Sequence, residues 1–136
     1  MSAESVSAAD YQRLLELRTG LRRFLKWSAD QARASGLTPA QHQLLLTIKG
    51  HRGPPQPTIS ELAEYLQLRH HSAVELIDRA EQVGLVQRMA DPNDARVVRL
   101  QLTTDGERML GELSTQHLHE LERLAPNMSR LWVGLD

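Results

Sequence analysis

Cysteine is missing from this chain altogether. Its absence excludes disulfide frameworks, zinc knuckles and a thiol redox switch. Long hydrophobic runs are missing too: nothing approaches the roughly 18 consecutive apolar residues of a membrane span. The opening stretch MSAESVSAAD carries acidic residues and no apolar core of a secretory signal, so no membrane partner is expected and the expected location is cytoplasmic. The motifs of common catalysts are also lacking. There is no nucleophile elbow, phosphate loop, HExxH pattern or clustered carboxylate pair, and no catalytic residue, cofactor or metal is assigned.

A surplus of positive charge is the last absence, and it cuts against one function class. The formal net charge is −1, whereas nucleic-acid binders are often strongly basic because phosphate contacts supply most of their non-specific affinity. Any such function must rest on where the charges sit. Lys26 and Lys49 are the only lysines, so the cations are overwhelmingly arginines, whose guanidinium forks suit phosphate oxygens and guanine edges. A general arginine bias would look the same. The 136 residues, 40% hydrophobic and 24% charged, are those of one ordinary globular domain.

What is present reads as helices, with one β-hairpin. From Ser7 to about Ala34, Tyr11, Leu14, Leu15, Leu21, Phe24, Leu25 and Ala32 recur along one stripe of a long amphipathic helix. Gly36-Leu37-Thr38-Pro39 stops it, and a T-x-x-Q capping box from Thr38 to Gln41 starts a second helix to about Lys49. HRGPPQP, residues 51–57, is a break. Thr58 and Glu61 form another capping box ahead of a short third helix, and after Gln67 and Leu68 a fourth runs to Gly84. Two helices about three residues apart have helix-turn-helix spacing. Leu85 to Met89 and Val97 to Thr103 form strands around the polar tip ADPNDAR. Thr104 and Glu107 cap a fifth helix with Met109, Leu110, Leu113, His117, Leu118, Leu121 and Leu124 on its apolar side. Pro126 should break it, leaving a short tail through Met128, Leu131 and Leu135.

The expected fold is mainly α with a small β-hairpin wing, a winged helix-turn-helix with terminal dimerisation helices. One domain spans 1–136: helices at about 7–34 and 104–136 dimerise, and about 38–103 form the DNA-binding part. Two long helices with wide apolar stripes are more than a chain this small can cover, so a two-fold homodimer is expected. In the winged arrangement the second helix of the pair enters the major groove by its N-terminal end. There lie Arg69, His70, His71 and Ser72, with Glu75 one turn on and Arg79 two turns on. Backbone N–H groups at the helix start add an anion site. Arg96, at the hairpin tip, is placed to enter a minor groove. A metal reading of His70 and His71 is poor, because adjacent helical residues point about 100° apart and neither has a third histidine or cysteine four residues on.

These segments resemble the MarR family of bacterial transcription regulators. The resemblance is carried by GLTPAQHQLLLTI, by TISELAEYLQLRHHSAVELIDRAEQVGLVQR and by DPNDARVVRLQLTTDG, above all by Asp94-Ala95-Arg96 followed by Leu102-Thr103 and Gly106. It implies a triangular dimer on a palindromic site of double-stranded DNA, with recognition helices in successive major grooves and wing arginines in the minor groove. It also implies that Asp94 structures the wing by pairing with Arg79 or Arg88, that Arg96 makes the wing-tip contact, and that a small aromatic effector relieves repression. The middle wing residue, often basic in the family, is Ala95. Some relatives sense zinc through histidines on the second and fifth helices, which would fall to His42, His117 and His119, but His117 and His119 are two apart, which does not put both on one helix face, and no cysteine is available to help. Trp27 and Trp132 read as interface packing and Arg99 as a plain surface charge.

The expected function is a sequence-specific DNA-binding regulator, a homodimeric repressor. The alternatives are a winged-helix protein-interaction module without DNA binding, and a metal-responsive regulator. From Thr58 to Thr103 five arginines face seven carboxylates, which is the strongest argument for the former.

Overall fold

The computed structural model describes residues 5–132. Its elements run α1 (Ala8–Ala34), α2 (Pro39–Gly50), α3 (Ile59–Leu66), α4 (His70–Gln82), β1 (Val86–Ala90), β2 (Val98–Leu102) and α5 (Thr104–Trp132). The helix boundaries follow local chemistry. Ser7, Thr38 and Thr58 each cap a helix through a full capping box, with Asp10, Gln41 and Glu61 reaching back to the cap backbone. At the far ends, Gly36 (φ 90°) and Gly84 (φ 78°) take the left-handed conformation. The chain then folds back so that Leu37 N–H bonds Ala32 O and Leu85 N–H bonds Ala80 O, both at 2.9 Å. Leu37 and Leu85 are thereby driven into the core.

α2 is the hub. It touches α1, α3, α4, α5 and β2, and its Leu44, Leu45 and Ile48 are buried among Leu62, Ile77, Ala80, Val86, Leu100, Leu110 and Leu113. Each such fully buried leucine contributes roughly 2–3 kcal/mol. The strands pair antiparallel from Val86↔Leu102 to Ala90↔Val98. The wing is fastened along its other edge as well: Leu100 N–H donates to Pro57 O at 2.9 Å, and Thr58 bridges Arg99.

Two boundaries differ from expectation. α5 is capped by Thr103, not Thr104: Thr103 Oγ1 accepts from Gly106 N–H at 3.0 Å, and Thr103 O accepts from Glu107 N–H. The register is set by Gly106, which sits so close to Leu85 that an added Cβ would lie 2.1 Å from the Leu85 carbonyl oxygen. Nor does Pro126 end the helix, which continues to Trp132. A proline removes one N–H donor and crowds the carbonyl four residues back; here its ring is exposed, and the turn beyond it is anchored by buried Leu131 and by Met128 over Gly20 of α1. Leu135 and the Trp132 side chain lie outside the described residues.

α1 and α5 pack on each other but leave much apolar surface uncovered. Tyr11 (63%), Leu14, Leu15 (64%), Leu21 and Leu25 on α1, with Leu118 and Leu121 on α5, are exposed. No helix among the described residues is long and apolar enough to cross a membrane.

Candidate nucleic-acid interface

α4 begins where the double histidine was expected to sit at a helix tip. Arg69 is its N-cap, with extended backbone (φ −66°, ψ 152°), and no side chain caps the first turn. Every other helix start has a hydroxyl cap: Ser7, Thr38, Thr58 and Thr103. Ala73 N–H is the first to find a helical partner, Arg69 O at 3.0 Å, so the donors of His70, His71 and Ser72 face outward unpaired among the described residues. Arg69, His70 and His71 are exposed and Ser72 is half-buried. Glu75 and Arg79 are exposed further along, while Ala73, Ile77 and Ala80 bury the opposite face. An uncapped, cation-flanked helix N-terminus is a ready-made anion site.

The wing is wired differently from expectation. Asp94 pairs with neither Arg79 nor Arg88. It accepts from Arg96, whose Nε and Nη2 lie 3.1 Å from its two carboxylate oxygens, and that fork holds the Asp94 carboxyl below the usual carboxylate range. The two-residue spacing puts the guanidinium within reach without any contribution from α4. The Arg96 side chain is 90% exposed. Arg79 has no ion pair among the described residues, which leaves it available to a phosphate.

Arg88 bridges β1 to α4: it donates to Asp78 at 2.6 Å and to Glu81, and its backbone N–H also reaches Glu81. Hydrogen bonding to Asp78, then to Glu81, raises its proton affinity. It structures the wing, through partners that the sequence reading did not assign.

The sequence reading missed Arg99. Only 18% of its side chain is exposed, and Nε donates to Asp91 at 2.6 Å, a carboxylate itself 10% exposed. Its Nη1 donates to the Gln56 carbonyl at 2.7 Å. One guanidinium thus ties the wing tip, β2 and the loop before α3 together. The available signal was Asp91 in the turn, whose Oδ2 accepts from Asn93 N–H; nothing in the sequence marks the Gln56 carbonyl.

The charge balance of the reading part looks different once these pairs are known. Of the seven carboxylates, Asp78, Glu81, Asp91 and Asp94 are bonded to arginines, and Glu61 is bonded to the Thr58 backbone, the main cause of its lowered proton affinity. Glu64 and Glu75 remain. On the cationic side Arg69 and Arg79, both on the reading helix, have no acidic partner among the described residues. The surplus of acid is spent internally.

Among the described residues no group of three histidine or acidic side chains could hold a metal. His119 is exposed, while His42 is 3% exposed and packs ring to ring on His117 (centroids 4.8 Å apart). Trp27, expected at an interface, stacks within the chain on His117 at 4.8 Å.

This arrangement defines a winged helix-turn-helix fold. A MarR family model matches residues 35–97. Over 107 residues the chain is 30% identical to YhbI of Bacillus subtilis, an uncharacterised HTH-type transcriptional regulator, covering 68% of this chain and 69% of that one. It is 35% identical over 72 residues to the B. subtilis HTH-type transcriptional repressor MdtR, covering 53% of this chain and 44% of MdtR. The chain thus spans less than half the length of some of the curated relatives it matches. A structure of a MepR variant of S. aureus bound to an oligodeoxyribonucleotide superposes with a TM-score of 0.68 at 20% identity, covering 93% of this chain and 98% of that one; that likeness speaks for the fold. The chain belongs to the MarR family.

Proposed function

We propose that this protein is a cytoplasmic repressor that binds a palindromic operator as a homodimer. Residues 7–34 and 104–136 form the dimer arms and 38–103 the reading part. Arg69, His70, His71 and Ser72 touch the major groove, with Glu75 facing a base edge there, Arg79 reaches flanking phosphate, and Arg96 enters the minor groove. The observation that carries this reading is the one helix start without a side-chain cap among the described residues, at the exposed Arg69–His71 edge of α4.

Dimerisation is supported by the exposed leucines of α1 and α5, a contiguous apolar face of the kind that marks an interface. A second copy packed there would set the two reading helices about one DNA turn, ~34–36 Å, apart. Release by a small aromatic ligand belongs to the same reading. The groove of about 680 Å³ between α1 and α5, with Phe24 and Trp27 in its wall, supports it. The repressor assignment draws on MdtR, a repressor by name.

The test is selection of bound fragments from random duplexes, followed by affinity measured at several salt concentrations. A two-fold symmetric consensus and a steep salt slope are expected. Retention of no fragment, or a monomer in sedimentation, would overturn the reading. Arg96→Ala should weaken binding without changing Tm; unchanged affinity would remove the wing from the contact.

A further inference from the structure

His42 and His117 meet where the hub helix α2 abuts the two terminal helices, a place at which titratable rings of the reading part and of the proposed dimer arms pack on each other. The His117 ring is fully satisfied. Its Nδ1 lies 2.8 Å from the Leu113 carbonyl oxygen, an acceptor only, so Nδ1 carries the hydrogen of the neutral ring and Nε2 accepts from the Ser28 hydroxyl at 2.6 Å. Trp27 and Phe24 flank it, the latter edge-on at 6.0 Å. A proton added at Nε2 would turn the Ser28 contact round, with Ser28 Oγ as acceptor.

His42 has no such provision. It is 3% exposed, and among the described residues its ring makes no hydrogen bond. From α1 the cluster receives Phe24, Trp27 and Ser28, none of them charged. From α5 it receives His117. Of the charged side chains on these helices Lys26 pairs with Asp30, Glu120 with Arg123 and Lys49, further along α2, with Glu107, while Arg23, next to Phe24, has no ion pair among the described residues. Among the described residues no carboxylate is bonded to the His42 ring. Burial, and then the neighbouring His117, keep the His42 imidazole below its ordinary proton affinity.

We propose that the His42–His117 contact is a proton-operated catch between the reading part and the terminal helices, closed while the pair holds at most one proton and opened by the second. Two cations with ring centres 4.8 Å apart repel, and the relief available is for the first turn of α2 to swing the His42 ring outward, away from α1 and α5. The spacing of the reading helices then ceases to be fixed and DNA affinity falls with acidification. This deepens the DNA-binding reading and rests on it for the DNA measurement alone; the catch can be observed without DNA.

The test uses the full chain with Trp132→Phe, which leaves Trp27 as the sole indole, and compares it with the same chain carrying His42→Leu. Between about pH 8 and about pH 5.5, where imidazoles titrate, Trp27 emission should shift to the red in the first protein and stay constant in the second. Affinity for a selected duplex should fall about tenfold in the first, the equivalent of one unit of proton affinity, and less than about threefold in the second. His70 and His71 are present in both, so their own protonation at the DNA surface cancels. A His117→Gln chain, whose amide can keep both hydrogen bonds, should flatten the emission profile in the same way and serves if His42→Leu does not fold. Emission that is flat in the parent, or that shifts equally in the His42 and His117 variants, would overturn the catch. An emission shift confined to the parent, together with no duplex binding at any pH, would leave the catch standing and sink the DNA-contact reading instead.

Discussion

The proposed recognition helix and wing, which would face the same polyanion, are finished to different degrees. At the tip of α4 the N–H donors of residues 70–72 and the guanidinium of Arg69 have no partner among the described residues. In the wing every charged side chain is engaged: Arg88 with Asp78 and Glu81, Arg99 with Asp91 and Gln56, Arg96 with Asp94. The helix tip is left for the ligand to complete, and the wing is completed beforehand. A hairpin of five-residue strands has little packing of its own, so its position must be fixed by bonds to the rest of the domain, whereas α4 is held by its buried face and can leave its end open.

The comparison is broken most severely at the joint between the two. Gly106 presses on the Leu85 carbonyl, between the end of α4 and the start of β1. Thr103 adds two bonds there, Oγ1 to the Gly84 carbonyl at 2.5 Å and N–H to the Leu85 carbonyl at 3.1 Å. Gly106→Ala must move backbone, not a side-chain end. A loss of about 3 kcal/mol, or about 10 °C in Tm, is expected by thermal unfolding. An unchanged Tm would show that the joint is slack.

Next in size is the anchor of the wing. Arg99→Leu keeps the stem's packing but leaves the Asp91 carboxylate and the Gln56 carbonyl without their donor, and should lower Tm by about 5 °C. Its pH dependence is predictable in sign. Hydrogen bonding to Arg99, more than any other cause, lowers the Asp91 proton affinity. The stability it supplies is therefore full above the unfolded carboxyl's value of about 3.9 and is lost as pH falls through the depressed folded value. Asp91→Asn should flatten that acid limb of the stability curve; a parallel limb would mean the pair contributes nothing.

Much of this was legible because it is local. Capping boxes link residues three apart, and those read at Thr38 and Thr58 formed as expected, while the one read at Thr104 gave way to a Thr103 cap. The apolar spacing that gave the core positions is also short-range. Arg99 was misread as surface charge because its acceptor Gln56 is 43 residues away and a backbone carbonyl has no sequence signature. Asp94 was given the wrong partner because the nearer guanidinium, two residues on, wins before any contact with α4. Pro126 was read as a stop because the rule for it is local, while docking of Met128 and Leu131 on α1 is not.

The open helix tip is probed by affinity and not by stability. Arg69→Ala and Arg79→Ala should each weaken duplex binding about three- to tenfold and lower the salt slope by about one, with Tm unchanged. A fall in Tm with no change in slope would make them structural, and the tip would then be no more open than the wing.

The smallest effect lies in the turn that delivers that tip. Gln67, which closes α3, is the only non-glycine residue with positive φ among the described residues (φ 54°, ψ 44°), and its N–H bonds the Glu64 carbonyl at 3.2 Å while Leu68 N–H bonds Ala63 O at 2.9 Å. A left-handed residue with a Cβ costs about 1–2 kcal/mol, and glycine in its place returns part of that as added freedom of the unfolded chain. Gln67→Gly should therefore stabilise by only about 0.5 kcal/mol, near 2 °C in Tm. If the turn's sole task is to reverse the chain, duplex affinity is unchanged. A gain in Tm accompanied by weaker binding would mean that the strained residue holds α4 at its reading angle, and that the open tip, like the wing, is positioned by a fixed element before DNA arrives.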